Sequence, residues 1–332
     1  MKELKKNWKN GEFGRCYLFF GTEGYLIRDY EQALTKAILP EGTEMMNHDV
    51  FEEKRATASA IIDAAETFPF LNDKRLITIK NSGLFQKGGS KDDIEKLKAY
   101  MADLPETSCL LFVEDKVEKT SALYKAVGKF GQAVEFKKLS DRELSAWIKK
   151  ICKDNGMEMD AEVSSLFLQT VGSDMENIEG ELMKLIAYKG EEKRILAEDI
   201  REVCTVSLEA IVFDLVKAVA EKRPEKAVQI YRQLLFQKES PYMILSLITR
   251  QFRFILETKL FSESGLTNDA IAVKLGVRDF AVREYLKQSK RFPAEGWKQA
   301  MRDCLQTDLD IKLGKAAEET AVELLIMKYA SK

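Results

Sequence analysis

A parallel α/β domain followed by an all-helical remainder is the fold this sequence predicts, and three observations predict it. Strand-like and helix-like runs alternate over the first 140 residues, the strand signal stops after Phe136, and everything from Ser207 onward carries helical periodicity. At 332 residues the chain is too long for one ordinary core, so two or three domains are expected.

Cys16-Tyr17-Leu18-Phe19-Phe20 is a short, wholly apolar run that ends at Gly21. Asp49-Val50-Phe51 is a weaker strand candidate, and Leu76 to Ile79, Leu110 to Val113 and Ala133 to Phe136 complete the set. Near-continuous apolar strands suit a parallel sheet covered on both faces. Helical patterns lie between them, as in Ile94, Leu97, Tyr100, Met101 and Leu104, where crossover helices belong. Gln86-Lys87-Gly88-Gly89-Ser90 has the composition of a mobile loop.

Ser140-Asp141-Arg142-Glu143 is a capping box that opens a helix carrying Leu144, Trp147, Ile148 and Ile151 on one face, with Gly156 as its stop. Two further helices, through Val163 to Val171 and through Ile178, Leu182, Leu185 and Ile186, make a three-helix unit ending near Cys204. Beyond it, Pro224, Pro241 and Pro293 each stand where a proline can open a helix, and Ser240 is the N-cap expected before Pro241. Long amphipathic runs, Met243 to Phe261 and Ala316 to Tyr329, need several neighbours to bury their faces, so a bundle of five or more helices is expected.

Composition bounds the function. Apolar content of 45%, charged content of 32% and a net charge of −2 describe a soluble globular chain with no global drive toward nucleic acid. The five cysteines, Cys16, Cys109, Cys152, Cys204 and Cys304, are scattered, several within apolar runs, as buried thiols in a reducing compartment would be. Met1-Lys2-Glu3-Leu4-Lys5-Lys6 is charged and no apolar signal core follows it; no run of about 18 apolar residues occurs. A cytoplasmic protein is the expectation.

The most informative local feature is Thr67-Phe68-Pro69-Phe70-Leu71. It lies between a helical stretch, Ala58 to Glu66, and a strand-like run beginning at Arg75, where a polar turn is the ordinary expectation. Pro69 disfavours helix at the residue before it, so the helix should end near Phe68. An apolar knuckle is left at an element tip, and clustered apolar side chains on a surface mark a partner site. The competing expectation is that Phe68 and Phe70 pack beneath the domain's own sheet.

Chemistry is hard to find elsewhere. The turn after the first strand, Gly21-Thr22-Glu23-Gly24-Tyr25, lacks the glycines, lysine and hydroxyl that a phosphate loop needs, and Glu23 adds negative charge where a triphosphate would sit. Leu110-Leu111-Phe112-Val113-Glu114-Asp115 reads as an ordinary strand end with solvated carboxylates rather than a metal-coordinating one. His48 is the only histidine and can complete neither a metal site nor a triad. Basic residues cluster modestly: Arg250, Arg253 and Lys259, then Arg278, Arg283, Lys287, Lys290 and Arg291. Solvated faces paired with acids are the simpler account, and weak contact with nucleic-acid phosphates through Arg250, Arg253, Arg283 and Lys287 is the alternative.

Taken in order, these segments resemble the delta subunit family of the bacterial DNA polymerase III clamp loader. Tyr17-Leu18-Phe19-Phe20-Gly21-Thr22-Glu23-Gly24-Tyr25-Leu26-Ile27 is similar to that family's opening strand and turn, and Phe70-Leu71-Asn72-Asp73-Lys74-Arg75-Leu76-Ile77 to its second marker. Phe136-Lys137-Lys138-Leu139-Ser140-Asp141-Arg142-Glu143-Leu144 with Trp147-Ile148 resembles the start of its second domain. Arg250-Gln251-Phe252-Arg253 and Asp308-Leu309-Asp310-Ile311-Lys312-Leu313-Gly314 resemble its C-terminal helical markers.

The resemblance implies an AAA+-like α/β domain with a RecA-like parallel sheet over residues 1–140. A three-helix lid over 141–206 and an all-α helical collar over 207–332 follow. It implies a non-catalytic subunit without a cofactor, since neither a phosphate loop nor the Ser-Arg-Cys arginine-finger signature occurs. Its implied partners are the sliding clamp (beta), the gamma/tau and delta prime subunits through the collar, and primed DNA within the complex. The clamp-binding element would be the tip, with Phe70 matching the family's phenylalanine. The family's leucine position falls on Pro69, so Phe68 or Leu71 would supply the second plug beside Thr67. An active AAA+ ATPase with a divergent phosphate loop, or a helical scaffold, are the alternative functions.

Overall fold

The computed structural model describes residues 2–331, which separate into two compact units, Met1–Leu139 and Ser140–Lys332. The first unit runs α1 (Lys2–Lys9), β1 (Cys16–Gly21), α2 (Gly24–Ile38), α3 (Glu44–Asn47), β2 (His48–Glu52), α4 (Ala58–Glu66), β3 (Arg75–Lys80), α5 (Lys91–Tyr100), β4 (Ser108–Glu114), α6 (Ala122–Phe130) and β5 (Gln132–Phe136). The five strands form one sheet in the order β2-β3-β4-β1-β5, and every neighbouring pair is parallel. Parallel pairing forces a crossover between successive strands, which is why helices alternate with strands here.

Alternation along the strands sends side chains to two cores. Leu18, Phe20, Ile77, Ile79, Leu110 and Phe112 pack with Ile61, Leu97 and Leu123 of α4, α5 and α6. On the other face Phe19 meets Phe136 at 5.3 Å between ring centroids, and Trp8 stands edge-on to Tyr17 and Tyr30. With both faces covered, the central strands are apolar nearly throughout, which is the pattern the sequence presented.

The helix before the apolar knuckle ends at Glu66, two residues short of the expected Phe68. Thr67 is its C-cap in extended conformation, and its hydroxyl turns back to the Asp63 carbonyl at 2.9 Å. The hydroxyl takes up a last-turn carbonyl, and the helix is already over two residues before Pro69. Glu114 departs from its expected solvated state. It is fully buried, and its Oε1 accepts from the Ser82 amide at 2.9 Å and from the Ser82 hydroxyl. Burial pushes its carboxyl above the usual range, and the Ser82 donors oppose that. All five cysteines are buried free thiols, and burial pushes Cys109 to about 12.

The second unit runs α7 (Asp141–Asp154), β6 (Glu158–Met159), α8 (Ala161–Val171), α9 (Met175–Lys189), β7 (Arg194–Ile195) and α10 (Ala197–Val203) before its helical bundle. The capping box at Ser140 is complete: the Glu143 carboxylate accepts from the Ser140 amide at 2.9 Å, and the Glu143 amide donates to the Ser140 hydroxyl. Gly156, at φ +71°, takes the left-handed conformation that ends α7. The sequence reading of three helices misses α10 and the parallel ladder between β6 and β7. Two-residue strands carry no alternation to detect, and α10 has only seven residues.

The bundle comprises α11 (Leu208–Ala220), α12 (Pro224–Phe236), α13 (Pro241–Glu263), α14 (Asn268–Leu275), α15 (Asp279–Ser289), α16 (Ala294–Lys312) and α17 (Glu318–Ala330). Pro224 and Pro241 begin their helices, whereas Pro293 sits one residue earlier as an extended N-cap. The core is built on Trp297, with Phe252 at 5.5 Å and Phe292 at 5.2 Å between ring centroids.

Arg278, the N-cap of α15, is nearly buried and joins three helices. Its guanidinium donates to the carbonyls of Leu168 and Gly172 at the end of α8, and its Nε lies 3.2 Å from Asp141 at the start of α7. A cation on helix C-terminal carbonyls and a carboxylate in a first turn are both favourable placements.

Asp303 on α16 gives the bundle a pH dependence. Burial alone would raise its carboxyl. Lys328 at 2.6 Å, Tyr329 at 2.5 Å and Gln299 at 2.9 Å outweigh that and hold it at about 2. A carboxyl whose folded value lies below its unfolded one stabilises the fold above the unfolded value, about 3.9, and loses that contribution as pH falls toward 2. We expect Asp303→Asn to destabilise the chain by about 2 kcal/mol at neutral pH in urea titrations, with the difference vanishing at about pH 2. A difference that persists unchanged to that pH would refute the assignment.

Candidate functional site

In a parallel sheet all strand N-termini lie along one edge. The segments leading into the neighbouring strands β2 and β3 are therefore side by side: α3 precedes β2, and residues 67–74 precede β3. Both present apolar side chains. Phe68 is 83% exposed, Phe70 57% and Leu71 84%; on α3, Met45 is 97% exposed and Met46 is also exposed. Thr67 is exposed and Pro69 half-buried. The phenylalanines are thus not beneath the sheet.

The tip is built rather than loose. Asn47, the last residue of α3, is fully buried, and its side-chain amide grips the backbone of Phe70 from both sides. Phe70 N donates to Oδ1 at 2.6 Å, and Nδ2 donates to Phe70 O at 2.8 Å. Asn72 Nδ2 donates to the carbonyls of Lys74 at 2.6 Å and Ile38 at 3.1 Å. Arg75, the first residue of β3, donates to Met46 O at 2.8 Å and pairs with Asp49 at 2.7 Å. Leu71 holds φ +50°, a left-handed conformation that costs a branched residue about 1–2 kcal/mol. Strained backbone carrying an exposed apolar side chain is a combination that clusters at ligand clamps and active sites.

Sequence reasoning found Phe68, Phe70 and Leu71 as site residues but not Asn47, Met45 or Met46, and it met Asn72 and Arg75 only within a family marker. Two adjacent methionines on a four-residue helix have no periodicity to read. The Asn47 bonds span 23 residues, a distance at which pattern carries no information.

The opposite, C-terminal edge holds the turn where a phosphate loop would lie. Gly21 has φ +133°, and a Cβ there would come within 2.1 Å of Phe136 O, so β5 crowds the turn with its backbone. The Glu23 amide donates to that same carbonyl at 3.1 Å. His48, half-buried, meets the Thr78 hydroxyl at 2.9 Å, and burial lowers its pKa.

The family model of the DNA polymerase III delta subunit matches residues 17–137, and the model of that subunit's C-terminal domain matches residues 209–329. The chain belongs to the DNA polymerase III delta subunit family. DNA polymerase III subunit delta of Bacillus subtilis is 27% identical, over 98% of this chain and 96% of its own length. A probable DNA polymerase III subunit delta of Aquifex aeolicus is 24% identical, over 83% and 81%. The Bacillus subtilis DNA clamp loader delta protein superposes with a TM-score of 0.74 at 26% identity, covering 100% of this chain and 99% of that one. As a delta family member the chain is a clamp-loader subunit of DNA replication, and its α/β domain with helical C-terminal region is the AAA+-like fold the resemblance implied. A scaffold unrelated to replication is set aside. Among the described residues no helix is long and apolar enough to cross a membrane.

The basic residues divide. Arg250 pairs with Glu209 at 2.9 Å and Lys287 with Glu284 at 3.4 Å. Arg253 is exposed and lies over the Phe254 ring, and Arg283 is exposed on α15. Arg283 and Lys287 line a cleft that also holds the carboxylates Glu209, Asp214 and Glu284, which oppose a phosphate there.

Proposed function

We propose that this delta family member is a non-catalytic, cytoplasmic subunit that binds the sliding clamp through Phe70, Phe68 and Leu71 and opens its ring for loading onto primed DNA. The observation that carries this reading is the exposed, backbone-pinned apolar tip at the N-terminal edge of the sheet. Aromatic side chains held rigidly at the centre of a contact dominate such interfaces. A turn crowded by Phe136 and bearing Glu23 in place of a phosphate loop supports a subunit that works without nucleotide of its own.

Opening a ring needs no bond chemistry. A ring closed under strain shifts toward the open form if its partner binds that form more tightly, and the shift cannot exceed the difference in affinity. ATP then acts elsewhere in the assembly, on gamma/tau subunits that this chain meets, with delta prime, through its helical bundle. Exposed Leu305 and Leu309 on α16, with Leu313 at its C-cap, lie four residues apart and offer an apolar stripe for that contact.

The test is to mix the isolated chain with a sliding clamp labelled by a fluorophore pair across one ring interface, without nucleotide. Separation of the pair on addition of the chain is expected. A ring that stays closed at saturating chain, or micromolar Mg-ATP affinity of the chain alone, would count against the reading.

A further inference from the structure

The tip does not stand alone on its edge of the sheet. We infer that α3 belongs to the same docking surface: Met45 and Met46 meet the sliding clamp beside Phe70, and Asn47 is the positioning residue that couples the two segments. The inference rests on the reading above that the tip binds the clamp.

Met45 is almost wholly exposed and Met46 largely so, although the residue that follows them is fully buried. A four-residue helix that buries one asparagine and exposes two methionines gains little for the core. What it does gain is attachment to the tip. The Asn47 amide makes three bonds, two to the Phe70 backbone and one to Thr43 O at 3.2 Å, so it holds its own helix and the tip with one side chain. Arg75 adds a second link through Met46 O. Asn47 and Arg75 also lie at the paired starts of β2 and β3, where His48 is in register with Leu76. Sheet register therefore fixes the spacing of α3 from the tip.

The occupant follows from that continuity. Because Asn47 and Arg75 tie α3 to the tip, a ring seated on Phe70 meets Met45 and Met46 at the same approach. Methionine suits this place, since its flexible, polarisable side chain adapts to a neighbouring apolar wall that the rigid phenylalanine cannot follow. Asn47 acts earlier, by holding Phe70 in its binding position before the partner arrives, which removes an ordering cost from association.

The experiment compares affinities of the full chain for purified sliding clamp by surface plasmon resonance, with melting temperatures alongside. The paired substitution Met45→Ser and Met46→Ser touches no core and is expected to weaken binding about ten-fold with the melting temperature unchanged. Asn47→Ala is expected to weaken it about as much, chiefly by slower association, and to have little further effect on a chain already carrying Phe70→Ala. Wild-type affinity in the paired methionine variant, while Phe70→Ala still weakens binding, would overturn the inference and leave the reading of the tip intact. So would a methionine-dependent dimer of the free chain with unchanged clamp affinity. Full additivity of Asn47→Ala with Phe70→Ala would reduce Asn47 to a fold residue and sink its positioning role. A wild-type chain that does not bind the clamp would remove both the reading and the inference.

Discussion

Truncating Phe70 to alanine is expected to weaken clamp binding by about 2 kcal/mol, roughly thirty-fold, while changing fold stability by less than about 0.5 kcal/mol. The two effects separate because the ring is more than half exposed, while the backbone amide and carbonyl of Phe70, which Asn47 grips, survive the substitution. A phenylalanine packed in the core would give the reverse result, about 3–5 kcal/mol of stability. Leu71→Asn sharpens the comparison. Asparagine tolerates the left-handed conformation that leucine holds at φ +50°, so the fold should be unchanged or up to about 1 kcal/mol more stable. Clamp affinity should fall. Parallel measurement of binding by plasmon resonance and of stability by urea titration reads both. A loss of stability in either variant, with binding intact, would show that the tip serves the fold and not a partner.

Replacing Arg278 by leucine is expected to destabilise the second unit by about 2 kcal/mol, because it removes the cation beside Asp141 and takes a charged donor from the Gly172 carbonyl, while Leu168 O keeps the Gly172 amide at 3.1 Å. Burial already lowers the Arg278 pKa, with Asp141 and Glu209 opposing, so the guanidinium depends on these partners. Arg278→Lys should recover only part of the loss. An ammonium cannot serve two carbonyls and a carboxylate with the planar fork that guanidinium presents. Urea unfolding monitored by near-UV absorbance, with hydrogen exchange followed at the amides of α8, checks both the size and the place of the effect. An Arg278→Leu variant as stable as the parent would mean that the three helix ends are held by other contacts.

How far the sequence reaches depends on how local each feature is. The central strands β1, β3 and β4 are legible because both faces are covered, so their apolar runs are unbroken. The capping box at Ser140 is legible because its two bonds lie within four residues. The ladder of β6 with β7 is not, since two residues make no pattern. Arg278 looked like one more surface cation. Its burial comes from carbonyls more than 100 residues away in sequence, which no window includes. For Arg250 the simpler expectation of a paired acid holds, but which acid, Glu209 about 40 residues earlier, only the fold shows.

The tip divides along the same line. Thr67 to Leu71 declared itself as an apolar knuckle broken by Pro69, and composition, turn chemistry and the missing phosphate loop were enough to single it out. Local residues carry those signals, so they survive without a fold. The tertiary structure decided everything that depends on two segments meeting. Parallel pairing set α3 against the tip, Asn47 tied them through the backbone of Phe70, and the left-handed turn at Leu71 aimed a side chain outward. These are consequences of register and of bonds spanning tens of residues, and they exist only once β2 lies beside β3.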